Sequence, residues 1–164
     1  LLYNKNKKEV YMNIFVVDND PKVAATMLCD KHVVKMIVET AQMLCTVARN
    51  RGYMGAPYRS THKNHPCTKW VEESGANWDW LVTHGLEMCS EYTRRYGRTH
   101  KTQAVLEWCK NIPTKPAGTS LTPFKLAMPQ QYKCSDPVKS YRDYYIGEKA
   151  RIAKWKTSPP HWWP

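Results

Sequence analysis

Between residues 31 and 49 polar and apolar positions recur with the period of an α-helix. Wound at about 100° per residue, Lys31, His32, Lys35, Glu39, Gln42, Thr46 and Arg49 fall within one arc of about 100°. Nearly every other position is Val, Ile, Leu, Met, Ala or Cys, with Thr40 the exception. A polar stripe this narrow predicts a helix enclosed by protein over most of its circumference. The stripe is either a solvated face or the floor of a groove, and it sets one carboxylate, Glu39, among several bases.

Residues 14–17 are continuously apolar and predict a short strand or extended segment. Asp20 before Pro21 signals a helix start, predicting a short helix to about Leu28, and Asp30 offers a cap for the long helix. Residues 52–64, with Pro57, Arg59, His62 and Lys63, read as a loop, after which His65-Pro66 opens another helix. With a kink at Gly75 that helix is predicted to reach Tyr96, placing Trp70, Trp78, Leu81, Gly85 and Cys89 at core spacing. Residues 100–110 predict a short amphipathic helix, and residues 112–129, with four prolines, an irregular surface loop. Asp136-Pro137 starts a last helix to about Trp155. The tail is too apolar to stand in solvent, and Trp162 and Trp163 can pack on the domain or stack on a base. The fold class is mainly α: a single compact helical domain over residues 12–164 with a short N-terminal extended segment and a long Pro-rich loop.

Residues 1–11 lack periodicity and run into Met12-Asn13-Ile14-Phe15, which looks like the opening of a bacterial or phage reading frame. Lys7-Lys8-Glu9-Val10 can be encoded by a purine-rich ribosome-binding sequence at a suitable distance before Met12. The segment is read as translated leader, with a basic arm as the alternative.

The 164 residues suit one hydrophobic core. The formal net charge of +11 favours a polyanionic partner, nucleic acid first. Removing residues 1–11, with three Lys and one Glu, leaves that basic character intact. Seven Trp and ten Tyr against two Phe suit wet surfaces and base stacking, or a core that prefers Trp. The densest basic cluster is Arg94-Arg95-Tyr96-Gly97-Arg98-Thr99-His100-Lys101; it suits both a helix C-terminus and phosphate binding. Six scattered cysteines without a C-x-x-C pair read as reduced thiols in a cytoplasm, and no apolar run is long enough to span a bilayer. Phosphate-cradling glycine loops and nucleophile motifs are absent from the sequence. His62, His65 and Cys67 raise the question of zinc, but the paired ligand spacing is missing, so no metal is expected.

Asp30-Lys31-His32-Val33 with Glu39 seven residues beyond His32, preceded by a short extended segment, resembles the phage pyrimidine-dimer DNA glycosylases with AP lyase activity. Asn64-His65-Pro66 leading into a Trp-containing helix, and the aromatic, Pro-rich C-terminus, are similar to small bacterial and phage relatives of that family. The resemblance implies an α-amino nucleophile exposed by removal of the initiator Met, here at Asn13, an imine intermediate, and Glu39 as the acid/base. His32 and Lys35 complete the expected catalytic group, Lys35 as an alternative amine. The expected nucleic-acid contacts are Lys35, Lys63, His65, Arg94, Arg95, Arg98 and Lys101, with Trp162 and Trp163. Where the family has a small Thr and an Arg after the initiator Met, this chain has Asn13 and Ile14. Val38 and Gln42 stand where it has arginines beside the Glu. The reading is a monomeric glycosylase and lyase acting on damaged or modified pyrimidines in duplex DNA without a cofactor. The alternatives are a non-catalytic nucleic-acid-binding phage protein and a zinc-dependent nucleic-acid enzyme.

Overall fold

The computed structural model describes residues 12–113 and 115–164, so the proposed leader at residues 1–11 lies outside the described residues. Within them the chain forms six α-helices and no strand: α1 Pro21–Met27, α2 Asp30–Asn50, α3 Pro66–Glu73, α4 Gly75–Tyr96, α5 Gln103–Asn111 and α6 Pro137–Lys149. A single 3-10 turn, Gln130–Tyr132, precedes α6. Helices α2 and α4 cross at the centre, with α1, α3 and α5 packed on α4 and with α3 and α5 also on α2. None of these helices is long and apolar enough to cross a membrane.

The helix starts follow local chemistry. Asp20 accepts hydrogen bonds from the backbone of Lys22 and Val23 ahead of Pro21, and Asp136 accepts from Lys139 ahead of Pro137. His65 caps α3, its Nδ1 accepting from Cys67 N at 3.1 Å. Gly97 ends α4 with φ 69°, a left-handed conformation that glycine adopts without a Cβ penalty.

The structure departs from the sequence reading at four places. Residues 14–17 pair with no neighbouring strand; they run buried among helices and turn at Phe15, whose φ is 57°. Asp30 is the first residue of α2 rather than its cap, and its Oδ1 takes Arg95 Nη1 and Lys156 N, each at 3.1 Å. The kink at Gly75 is a full break: Ser74 is extended and caps α4 through Asn77 N. A Cβ on Gly75 would meet Pro116 O at 2.6 Å and Gly118 O at 2.9 Å, so glycine is what lets the Pro-rich segment lie against this break. Finally α6 stops at Lys149, because residues beyond it fold back beside α1. Trp155 Nε1 donates to Met27 O at 3.0 Å, and Lys154 O accepts from Asp30 N at 2.8 Å.

Arg95 is the principal polar fastening of this arrangement. Its side chain is fully buried, donating to Glu91 Oε1 (2.8 Å), Leu28 O (2.8 Å), Thr26 O (3.0 Å) and Asp30. It joins α4 to the turn between α1 and α2. Removing one partner of a buried ion pair leaves the other charge uncompensated, so Arg95→Met is expected to lower stability by about 3–5 kcal/mol. Arg94→Ala, at the surface, should cost under about 1 kcal/mol. Urea unfolding of both variants measures the difference, and equal effects would show that the buried network carries no special weight.

Candidate active site

Helix α2 fixes His32, Lys35 and Glu39 on one face, and the N-terminal segment is laid across that face. Asn13 is held on both sides: its Oδ1 accepts from the backbone N–H of Ile14 (2.8 Å) and Phe15 (3.1 Å), and its Nδ2 donates to Ala127 O (2.8 Å). So anchored, Asn13 N points at Glu39 Oε2 from 3.3 Å. Glu39 is only 4% exposed. Its other oxygen, Oε1, is buried without a hydrogen-bond partner and faces Lys35 Nζ at 3.6 Å. Burial raises the Glu39 pKa above the ordinary carboxylate value; the Lys35 charge and then the Asn13 N–H oppose that shift. A carboxyl held above its ordinary pKa takes up a proton more readily than an exposed one, which suits it to act as an acid as well as a base.

His32 is buried beside this pair. Its ring stacks on Phe15 with centroids 4.6 Å apart, and its Nδ1 shares a hydrogen bond with the Tyr145 hydroxyl at 2.8 Å. Burial first, then the charges of Lys149 and Lys35, push its pKa down to about 3, so the ring is neutral across the physiological range. Its geometry is that of a neutral support for Phe15 and Tyr145.

The other predicted contact residues separate into two groups. Lys63, Arg98 and Lys101 are exposed, Arg98 with its Nε on the Tyr92 hydroxyl at 3.0 Å. The turn that carries Arg98 and Lys101 lies against α2, where His100 Nε2 meets Val34 O at 3.1 Å, one residue before Lys35. Arg94 is paired with Glu91 and Glu87, and Arg95 is buried in the network described above, out of reach of a phosphate. His65 is committed at one ring nitrogen to its cap, and burial lowers its pKa. Trp162 and Trp163 pack edge-on to Tyr145, and Trp163 also meets Trp155 at 5.0 Å, so both indoles lie against the domain. No group of three or more His, Cys, Asp or Glu among the described residues is arranged to hold a metal ion.

The family model of the pyrimidine dimer DNA glycosylases matches residues 12–104, more than half of the chain. The chain belongs to the pyrimidine dimer DNA glycosylase family. No curated protein and no solved structure matches it. The family segment contains Asn13, His32, Lys35, Glu39 and the turn bearing Arg98 and Lys101. It ends before three contributors that sequence reasoning missed. Ala127 O holds Asn13; Tyr145 holds His32; and Lys149 Nζ sits over the rings of Phe15 (5.7 Å) and Tyr144 (5.1 Å). The Tyr141, Tyr144, Tyr145, Lys149 spacing on one helix was the available signal for two of them.

The neutral His32 ring makes stability depend on pH. Unfolded, it titrates near 6.5; folded, it titrates near 3. The unfolded chain therefore binds a proton that the folded one refuses. The stability contributed by the neutral ring is complete above about pH 6.5 and is lost as pH falls toward 3. His84, buried and lowered to about 4, adds to the same trend. The urea midpoint of the wild type is expected to fall between pH 6.5 and 4, and that of His32→Gln to fall less. A wild-type midpoint independent of pH over this interval would contradict the assignment.

Proposed function

We propose that this member of the pyrimidine dimer DNA glycosylase family is a glycosylase with AP lyase activity on damaged or modified pyrimidines in duplex DNA, acting in a cytoplasm through an amine at Asn13 and the carboxyl of Glu39. The observation that carries the reading is the 3.3 Å approach of Asn13 N to Glu39 Oε2. In a chain opened at Asn13 that nitrogen is a primary amine beside a proton-exchanging carboxyl. Loss of Met12, whose side chain is buried, frees both the nitrogen and the volume that side chain fills. An α-amine with pKa near 7.7–8.0 is about a fifth to a third neutral at pH 7.4, whereas an unperturbed Lys is about 0.1% neutral. A chain terminus is thus the better nucleophile without special tuning.

The neutral amine attacks C1′ of the target nucleotide; the bond from C1′ to the base breaks, and the base leaves with the electron pair and takes up a proton. Opening of the sugar ring, with protonation of its oxygen, gives a protonated imine at C1′. Removal of a proton from C2′ by the Glu39 carboxylate drives elimination, in which the C3′–O bond breaks and the phosphate leaves. Water then hydrolyses the imine and returns the amine. The base, or its partner in the opposite strand, must leave the stack for the amine to reach the sugar.

Glu39→Gln in protein beginning at Asn13 is expected to reduce turnover on an abasic duplex by about 10²–10⁴-fold while duplex affinity stays within about twofold. Borohydride reduction of the wild-type reaction should trap one adduct per protein, mapped by mass spectrometry to the N-terminal amine. Intact duplex binding with no adduct on abasic, thymine-dimer or modified-pyrimidine substrates would overturn the lyase reading in favour of a binding protein.

A further inference from the structure

Beside Glu39 on α2, an open cleft of about 370 Å³ is cut between the helix and the loop of residues 57–61. A volume of this order suits a small organic group such as a single base. On the helix side it is lined by Val38 and Gln42, the two positions near Glu39 at which the chain departs from the family pattern and carries no charge. Residues three apart on a helix have Cβ atoms about 5–6 Å apart, so Gln42 stands next to Glu39 on the polar stripe. The facing loop is fixed in place. Arg49 donates to Tyr58 O (2.8 Å) and Ala56 O (2.7 Å), Thr46 Oγ1 accepts from Thr61 N (3.0 Å), and the Tyr58 hydroxyl meets Thr102 Oγ1 (2.7 Å). Gln42 is half-buried, and among the described residues its carboxamide has no hydrogen-bond partner; Thr46 Oγ1 bonds its backbone O instead, at 2.7 Å.

We propose that this cleft holds the target base itself, a single pyrimidine everted from the duplex, and that the Gln42 carboxamide reads its pairing edge. The proposal rests on the DNA reading above and deepens it, since it decides which base leaves the stack. A carboxamide presents an acceptor beside a donor, as do the O4 and N3 positions of thymine or the N3 and N4 positions of cytosine, so two parallel hydrogen bonds can form. Val38 from the helix and Pro57 from the loop give the ring apolar surface, the usual complement to edge contacts around an everted base. The lining carries a single charge, the exposed Arg59, so the cleft suits a neutral polar ring better than a phosphate. A base seated there leaves its C1′ on the side of Glu39, where the amine attacks.

Duplexes carrying 2′-fluoroarabino nucleosides of thymine, uracil, cytosine or 5-hydroxymethyluracil resist glycosidic cleavage and so separate base binding from chemistry; a tetrahydrofuran residue at the same position lacks the base. Fluorescence anisotropy is expected to show the wild type, opened at Asn13, binding at least one of these pyrimidines about tenfold more tightly than tetrahydrofuran. Gln42→Leu should lose that preference while binding the tetrahydrofuran duplex as the wild type does, with the same salt dependence. Val38→Trp, which fills the cleft from a half-exposed position, should lose it too. A preference that survives both substitutions, or a wild type that prefers none of the pyrimidines, would overturn the proposal. So would 2-aminopurine in the opposite strand that brightens with the wild type but not with Val38→Trp, since the cleft would then hold the other strand's base. A wild type that shows the preference but traps no abasic duplex with borohydride would sink the lyase reading and leave the cleft standing; trapping without any preference would do the reverse.

Discussion

An ionisable group on the most enclosed helix has to be compensated or stay uncharged, and the layout around Glu39 follows from that constraint. Its carboxyl cannot reach bulk water, so the N-terminal segment supplies one N–H and Lys35 a charge. The N–H is available only because Asn13 is pinned by its own side chain, which bonds forward to Ile14 and Phe15 and across to Ala127. The same turn sends Phe15 through a positive φ and stacks its ring on His32, which in turn is fixed by Tyr145. Backbone strain at this point is repaid by aromatic stacking and by the orientation of one nitrogen.

The basic residues are sorted by depth, and that sorting says more than the net charge does. Arg95 is structural: its guanidinium joins four acceptors from the turn between α1 and α2 and from α4 itself. Arg49 is spent on the carbonyls of Ala56 and Tyr58, holding the loop before α3 against α2. Arg94 is neutralised by neighbouring glutamates. Arg98 and Lys101 stay in solvent, while Lys35 and Lys149 stay at the site.

The segment beyond the family match completes what the matched helices begin. Its irregular stretch is held by side chains at the α3–α4 break: Ser74 Oγ donates to Ser120 O, Asn77 bonds Thr122, and Trp70 Nε1 donates to Thr122 O. Those bonds replace the ladder or helix bonds the prolines forbid, and the chain then continues to Ala127, where it holds Asn13. Tyr141 reinforces the same stretch from α6 through Lys125 O. The Trp-rich tail beyond α6 packs over Met27 through Trp155 and Trp162.

The helical architecture was legible in the sequence because its signals are local: the 3.6-residue stripe of α2, the Asp-Pro and His-Pro starts, and the glycine that ends α4. The family relationship was legible too, since His32, Lys35 and Glu39 share one face of one helix at fixed spacing. The ends of elements were less so. Asp30 has the right residue type for a cap, yet Arg95, far along the chain, claims its carboxylate, and the returning tail cuts α6 short. The same limit applies to function. Sequence alone treated Arg94, Arg95, Arg98 and Lys101 as equivalent cations, because charge is a property of the residue; only packing decides which charge is buried, paired or free. Nothing local to Ala127 marks it as a neighbour of Asn13, and the spacing of Tyr141, Tyr145 and Lys149 shows a shared helix face but not what that face meets, since these residues reach the site from the far end of the chain, through contacts between distant segments.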